Sequence, residues 1–305
     1  MNLRLHPRRA PGPQITEFLR IEIDHAISEA RLFEDADLHR RVEVIRQIRK
    51  ATKRARSSVS LLDPTVGDRF RRHVRRCARA LSAMRDRDVI QQTLRELSEE
   101  DPRVGEQLRK RHLYEKMMEF EDSEPTELVP PDEEVVDNVR KELEWIRARI
   151  PSMNRRELQW KSVIERLARS WQRARRGFRS EWSPQDIESL HDARKSVIRL
   201  ESQLILVERI ASPRIRRARK ELRRIAHDLG VDRDFMMICD RAESLTGSRK
   251  FSEHRKAFTA RVRKDRGKRL RRIRKQGKRV LEPQGKVIRA KMMTSHKNAK
   301  KGASR

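Results

Sequence analysis

Residues 190–207, LHDARKSVIRLESQLILV, repeat the pattern of residues 45–62, IRQIRKATKRARSSVSLL, at a displacement of 145 positions. In both stretches the apolar residues recur at the spacing of an amphipathic helix, and they fall on corresponding positions. The basic residues correspond as well, at Arg49 and Arg194, Lys50 and Lys195, and Arg54 and Arg199. The repeat therefore includes the basic flank of the helix as well as its apolar face.

A second repeat follows each of these stretches, since a displacement of 148 aligns residues 71–86 with residues 219–234. The aligned basic pairs are Arg75 with Arg223 and Arg76 with Arg224. Each block comes after a helix-start signal, Asp63-Pro64 in one case and Ser212-Pro213 in the other. We infer two related helical halves. Such halves pack as bundles about a pseudo-twofold axis, which would turn basic faces from both toward a shared central cleft.

The fold class follows from how the apolar residues are distributed. Hydrophobic residues make up 35% of the 305 residues, and they recur at helical rather than alternating spacing. We expect an all-α protein. The predicted helices are 14–33, 37–62, 64–84, 86–99, 105–121, 132–150, 154–181, 184–210, 213–229, 234–246, 250–280 and 283–296. Ser183 is the predicted cap of the helix at 184–210, with Trp182 and Ile187 as its hydrophobic staple.

The domain organisation is predicted from the same helices and from one break in the pattern. The stretch EDSEPTELVPPDE is acidic, rich in proline and without helical periodicity, so it is interpreted as a linker between the halves. The predicted segments are a flexible N-terminus at 1–13, a first bundle half at 14–121, a linker at 122–131, a second bundle half at 132–296, and a mobile basic tail at 297–305.

Charge indicates the class of partner. Lys and Arg number 76 against 46 Asp and Glu, which gives a formal net charge of +30 and favours polyanions as partners. Neither a signal peptide nor a membrane-spanning stretch is evident, so we expect a protein without membrane insertion. The only two cysteines, Cys77 and Cys239, have no paired spacing, and this favours a reducing cytoplasm.

The basic flanks of the repeated helices are the candidate binding surface. Residues at i, i+3, i+4, i+7 and i+8 share a helix face, and the basic residues at 46–54 fill all of these positions. In the second half Ile198 interrupts the series. Like charges so spaced repel each other, and bound phosphate would offset that repulsion because guanidinium groups bind it bidentately. A solvated helix face, with aliphatic stems covering apolar surface, is the structural alternative.

Residues 164–207 resemble the second half of the conserved histidine α-helical domain, the CHAD family. The resemblance lies in the Arg-rich helix IERLARSWQRARRGFR and in the His-x-x-Arg-Lys pattern of His191, Arg194 and Lys195. The stretch IAHDLGVDRD, 225–234, is similar to the family's Leu-Gly-x-x-x-Asp turn, and residues 272–292 resemble its closing helices. Two earlier stretches, IRQIRKATKRAR and ALSAMRDRDVI, resemble the corresponding elements of the family's first half.

The resemblance implies two four-helix bundles whose basic central surface binds inorganic polyphosphate, at cytoplasmic polyphosphate granules. Arg46 stands where the family has its first-half histidine, and Ile198 stands where it has a basic residue. The Arg-rich helix carrying Arg175 is expected to contribute as well. The expected polyphosphate-binding residues are Arg46, Arg49, Lys50, Lys53, Arg54, Arg75, Arg76, Arg169, Arg173, Arg176, His191, Arg194, Lys195, Arg199, Arg223 and Arg224.

Other functional classes have less support in the sequence. Gly-rich phosphate loops, nucleophile elbows, Cys/His metal clusters and the alternating Glu-x-Glu-x-Lys signature are absent, so we expect no enzyme, no cofactor and no metal. General polyanion or nucleic-acid binding is the main alternative, since charge alone gives salt-sensitive affinity for DNA and RNA. Aromatic residues make up only 4%, and the four tryptophans are predicted to be core or interhelical anchors. A scaffolding role remains compatible with binding.

Overall fold

The computed structural model describes residues 4–62, 64–81, 93–94, 106, 113–118, 132–153, 156–183 and 186–302. The described part of the chain is helical and contains no β-strand. Its α-helices are α1 (Pro11–Arg31), α2 (Leu38–Val59), α3 (Pro64–Ala80), α4 (Leu113–Met118), α5 (Asp132–Arg149), α6 (Trp160–Arg179), α7 (Ile187–Leu206), α8 (Pro213–Ser244), α9 (Arg249–Val280) and α10 (Gly285–Gly302). Short 3₁₀ turns occupy Pro151–Met153 and Glu208–Ile210.

Two rings of four helices form the body of the molecule. In the first ring α1 packs against α2 and α5, and α3 packs against the same two helices. In the second ring α6 packs against α7 and α9, and α8 closes the ring by contacting both of those helices. A continuous apolar core fills both rings, as expected for amphipathic helices that each bury one stripe. The all-α class and the two related bundles are therefore confirmed.

The bundles meet where α2 contacts α7, the two helices that the first sequence repeat makes equivalent. Gln203 of α7 donates from Nε2 to the carbonyl oxygen of Ser57 at 3.2 Å and to Oγ of Ser60 at 2.6 Å. Arg166 of α6 donates to the carbonyl oxygen of Leu61 at 2.9 Å. A contact between equivalent elements lies on the twofold axis of a duplicated unit, so the junction is the pseudo-symmetric centre.

The boundary predicted at 122–131 does not separate the bundles. That stretch lies outside the described residues, but α5, which follows it, packs on α1 and α3 and buries Val139 and Leu143 in the first ring. The first bundle therefore extends to the turn at Pro151–Met153, and the second begins with α6. The sequence pattern missed this because a covalent linker can join two helices of one bundle as well as two bundles.

Both predicted flexible ends are wrong over their described residues. Leu5 is fully buried, and its amide donates to the carbonyl oxygen of Leu206 at 2.8 Å. Helix α1 begins at Pro11, and α10 continues to Gly302 instead of ending near residue 296. The two segments hold each other, since Nε2 of His296 lies 3.0 Å from the carbonyl oxygen of Pro7.

Some helix boundaries also differ from the prediction. Helix α8 runs unbroken through residues 225–234, where the family resemblance implied a turn. Its predicted start is correct, because Ser212 caps it by accepting from the amide of Ile215. Helix α7 begins later than predicted, with Asp186 rather than Ser183 as its cap, and half-exposed Ile187 makes no hydrophobic staple. Most of the helices predicted at 86–99 and 105–121 lie outside the described residues.

The end of α8 and the start of α9 form a hairpin, whose described apolar residues make a small cluster distinct from the main core. Ile238, Phe251 and Phe258 pack there with Leu94, and Met117 of α4 completes the cluster. The hairpin projects past the bundle, because each of its helices is 32 residues long, about 48 Å at 1.5 Å per residue.

Replacement of Gly277 by alanine tests the contact between α6 and α9 in the second ring. A Cβ atom on Gly277 would overlap the ring of Phe178 in α6, so Gly277→Ala should lower the free energy of unfolding by about 1–3 kcal/mol. The control is Gly267→Ala in the same helix, where a Cβ meets only Arg271 Nη1, at 3.8 Å. That variant should gain up to about 1 kcal/mol from helix propensity. Urea unfolding measures both, and equal effects would contradict the packing described.

Candidate anion-binding site

Five arginine side chains from four helices converge beside the junction of the two bundles. We call this set the arginine cluster: Arg56 of α2, Arg71 and Arg75 of α3, Arg173 of α6 and Arg199 of α7. The guanidinium group of Arg199 is within electrostatic reach of the other four. The cluster therefore takes charges from both bundles, and it corresponds to the basic centre predicted between them.

Helix packing explains why these side chains meet. Arg71 and Arg75 lie four residues apart, so they share one face of α3. Helix α3 packs on α2, α2 contacts α7, and α7 packs on α6. Arg56 lies near the end of α2, only a residue from Ser57, which accepts a hydrogen bond from α7. A chain of helix contacts thus brings the basic flanks of four helices to one place.

Burial makes this concentration of positive charge costly. Burial and the repulsion of Arg173, Arg56, Arg71 and Arg75 lower the pKa of Arg199 to about 10. Burial and the charge of Arg75 also lower the pKa of Arg56. Arg199 still carries its proton near pH 7, which is well below that pKa. The native state therefore holds repelling cations, of which Arg56, Arg71 and Arg199 are partly removed from water.

Counter-charge from the protein is scarce in the cluster. Arg71 forms an ion pair with Asp68 on its own helix. The other four arginines form no ion pair with any carboxylate in the described part of the chain. Guanidinium groups present planar donors that match phosphate oxygens. An anion with several phosphate groups would supply the missing charge.

The residues of the basic flank predicted on α2 have several different partners. Arg49 is buried and donates to the carbonyl oxygen of Ala78 at 3.0 Å, so it links α2 to α3. Arg54 points toward α1 and pairs with buried Glu22 at 3.4 Å. Arg46 is exposed and lies 3.2 Å from Glu43 on its own helix. Lys50 is exposed and Lys53 is partly buried.

The residues of the basic flank predicted on α7 also have different surroundings. Arg194 packs over α8 at Gly230, where an added Cβ would lie 3.2 Å from Nη2, so glycine makes room for the guanidinium group. His191 and Arg194 border a cavity of about 50 Å³ beside the buried ion pair of Asp232 and Arg266. Burial, reinforced by the neighbouring cations, lowers the pKa of His191. Lys195 is exposed and lies 3.2 Å from Asp192.

The remaining predicted residues lie around the bundle surfaces. Arg76 is 3.5 Å from Glu142, and Arg224 is 2.9 Å from Glu221. Arg169 borders an open cavity of about 430 Å³ at the start of α10, whereas Arg176 and Arg223 are exposed. Arg175 is buried and donates to the carbonyl oxygen of Glu282 at 3.0 Å. Of the predicted set, the structure brings only Arg75, Arg173 and Arg199 into the cluster.

Two cluster members, Arg56 and Arg71, were missed from the sequence. Arg56 lies seven residues after Arg49, so the i+7 rule would have placed it on the same flank had that flank been followed past residue 54. Arg71 is the first residue of the second repeat and lies one turn before Arg75. Both signals were present, but neither residue could be separated from other surface arginines without knowing which helices meet.

Two rings of α-helices with a shared arginine cluster define a helical protein with a candidate anion-binding centre. Comparison with known families agrees with this class, since the family model described as CHAD domain matches residues 22–156 and 162–284. The chain therefore belongs to the CHAD family, which is linked in general to polyphosphate binding. No curated protein matches the chain. Within the described residues, none of the helices combines the length and apolar character needed to cross a membrane.

Neutralising Arg199 should stabilise the ligand-free protein. Arg199→Gln removes a desolvated charge that four other arginines repel, so we expect a melting temperature about 2–4 °C higher at low salt. The gain should shrink as salt screens the repulsion. Arg54→Gln is the matched control, because it occupies the equivalent position and leaves buried Glu22 without its ion pair. That variant should be less stable, and a destabilised Arg199→Gln would contradict the charge argument.

Proposed function

We propose that this protein binds inorganic polyphosphate without catalysing a reaction, and that the arginine cluster is its principal contact. The observation that carries the proposal is the convergence of five arginines from both bundles, four of which form no ion pair within the described part of the chain. Membership of the CHAD family supports the same ligand. Cytoplasmic targeting to polyphosphate granules is part of the proposal, because a binder of the polymer concentrates where the polymer accumulates.

Polyphosphate suits the cluster because it is a flexible chain of closely spaced anions without bases. Each phosphate unit can accept hydrogen bonds from a guanidinium group, and several units can reach neighbouring arginines together. Exposed cations one turn from a cluster member, such as Arg169 and Arg176 on either side of Arg173, would contact the chain as it leaves the cluster. Binding would then replace repulsion among the arginines with attraction to the ligand.

Nucleic-acid binding is the alternative, and the environment of the tryptophans makes a dedicated role less favourable. Trp160 and Trp171 are buried and donate hydrogen bonds to the carbonyl oxygens of Arg9 and Pro283. Trp182 donates to the carbonyl oxygen of Gly177, and Trp145 stacks on His73. The prediction that tryptophans are structural anchors is confirmed. Single-stranded nucleic acids are usually bound by stacking on exposed aromatic rings, and these four are engaged elsewhere.

Competition between polyanions tests the proposal at about 0.15 M ionic strength, where weak non-specific binding is screened. Fluorescently labelled polyphosphate is bound to the full chain and displaced with unlabelled polyphosphate, duplex DNA or RNA at matched phosphate concentration. We expect displacement by polyphosphate at a phosphate concentration at least about tenfold lower than by either nucleic acid. Equal competition, or stronger competition by nucleic acid, would replace the proposal with general polyanion or nucleic-acid binding.

A triple substitution in the cluster tests which residues bind. Arg56, Arg75 and Arg173, each replaced by Gln, should together weaken polyphosphate binding by about 100-fold, since each contributes a charge-assisted contact. The control replaces Arg249, Lys250 and Lys256 by Gln and changes the net charge equally. Arg249 lies in the hairpin, 28 residues before Gly277. Since Gly277 contacts α6, Arg249 is about 42 Å along α9 from the bundle that carries Arg173. Equal losses in both variants would show that net charge, rather than the cluster, determines affinity.

A further inference from the structure

The pseudo-twofold axis gives the arginine cluster an equivalent on the other side of the junction. Displacement by 145 relates Arg54 to Arg199 and relates Glu201 to Arg56. The structure contains both of the corresponding proximities, because Arg54 is an electrostatic neighbour of Glu201, and Arg56 of Arg199. Such paired contacts are the signature of an isologous interface. The junction therefore contains two equivalent sites.

The remaining members of the second site follow from the other helices. Displacement by 148 relates Arg219 to Arg71 and relates Arg223 to Arg75. The same displacement superposes the buried faces of α1 and α6, since Ile15, Leu19 and Ile23 meet Val163, Leu167 and Trp171. His25 then takes the place of Arg173. We call this second set the acidic counterpart: His25, Arg54, Glu201, Arg219 and Arg223.

The acidic counterpart differs from the arginine cluster in its charge balance. Glu201 replaces an arginine and lies 3.7 Å from Arg219, which is also 3.3 Å from Glu208. Arg54 pairs with Glu22, which lies at the position equivalent to Ser170 of α6. The carboxylates are largely buried, with 14% of the Glu201 side chain and 8% of the Glu22 side chain exposed. Arg54 and Arg219 are thus engaged in internal ion pairs instead of being left for a ligand.

We infer that the two equivalent sites have different tasks, and that only the arginine cluster is a strong phosphate site. Glu201 of the acidic counterpart, together with the neighbouring Glu22 and Glu208, supplies internal counter-charge and makes that side of the junction structural. A phosphate chain is consequently anchored on one side of the axis. This inference rests on the proposed function and adds to it the position and number of strong subsites.

Equivalent arginines give a matched test, because Arg75 and Arg223 are both exposed and both lose one charge on replacement by Gln. Calorimetric titration with tripolyphosphate at about 0.15 M ionic strength measures affinity and stoichiometry for each full-length variant. Arg75→Gln should bind about tenfold more weakly than the wild type. Arg223→Gln should stay within about twofold, since its position already faces a carboxylate. The wild type should bind one tripolyphosphate at its strong site.

Removing the internal counter-ions should open the second site. Glu22→Gln combined with Glu201→Gln leaves the cations of the acidic counterpart in place, so we expect the stoichiometry to rise from one tripolyphosphate to two. The control, Glu188→Gln combined with Glu253→Gln, raises the net charge equally at exposed positions and should leave one site. Circular dichroism establishes that each variant is folded.

The outcomes separate this inference from the proposed function. Equal losses in Arg75→Gln and Arg223→Gln, with a wild type that binds, would overturn the asymmetry and leave polyphosphate binding in place. Two strong sites in the wild type would overturn it as well. A wild type that binds neither tripolyphosphate nor long-chain polyphosphate would overturn the proposed function, and this inference with it.

Discussion

The contact between α2 and α7 determines how the two bundles, and with them the arginines of four helices, lie relative to each other. On the side of the arginine cluster it brings together like charges that repel each other, whereas on the other side Arg54 faces Glu201. The contact is held by the hydrogen bonds of Gln203 to Ser57 and Ser60, by that of Arg166 to the carbonyl oxygen of Leu61, and by a core that is continuous across the junction. The contact holds the arginines of the cluster together against their mutual repulsion, and a bound anion would reduce that repulsion.

Much of the fold could be predicted because helical periodicity and duplication are both visible in one sequence. Apolar residues at helical spacing indicate a buried face without any knowledge of its partner. The alignment of Arg49 with Arg194 in the sequence repeat similarly indicates that two helices are equivalent. The N-terminal segment was missed for a physical reason, since Leu5 and Pro7 are the only buried residues described before α1, and two residues leave no periodic signal.

The site was harder to predict than the fold, because a basic flank covers a wide arc of the helix and faces several neighbours. Arg49 is directed to α3, Arg54 to α1, and Arg56 to α7, although all three belong to one run of sequence. Only the packing of the neighbouring helices decides which arginine binds a backbone carbonyl, which forms an ion pair and which is left for a ligand. Glu201 shows the same limit, because its sequence position alone does not reveal that it replaces a cluster arginine.

The small core of the α8–α9 hairpin has a consequence for the dynamics of the molecule. Among the described residues, Phe251 and Phe258 belong to an apolar cluster that is distinct from the main core. Elements that do not share a core can open as separate cooperative units. The distal hairpin is therefore a unit that can exchange its amide hydrogens, or adapt its shape, while the two rings of helices stay closed.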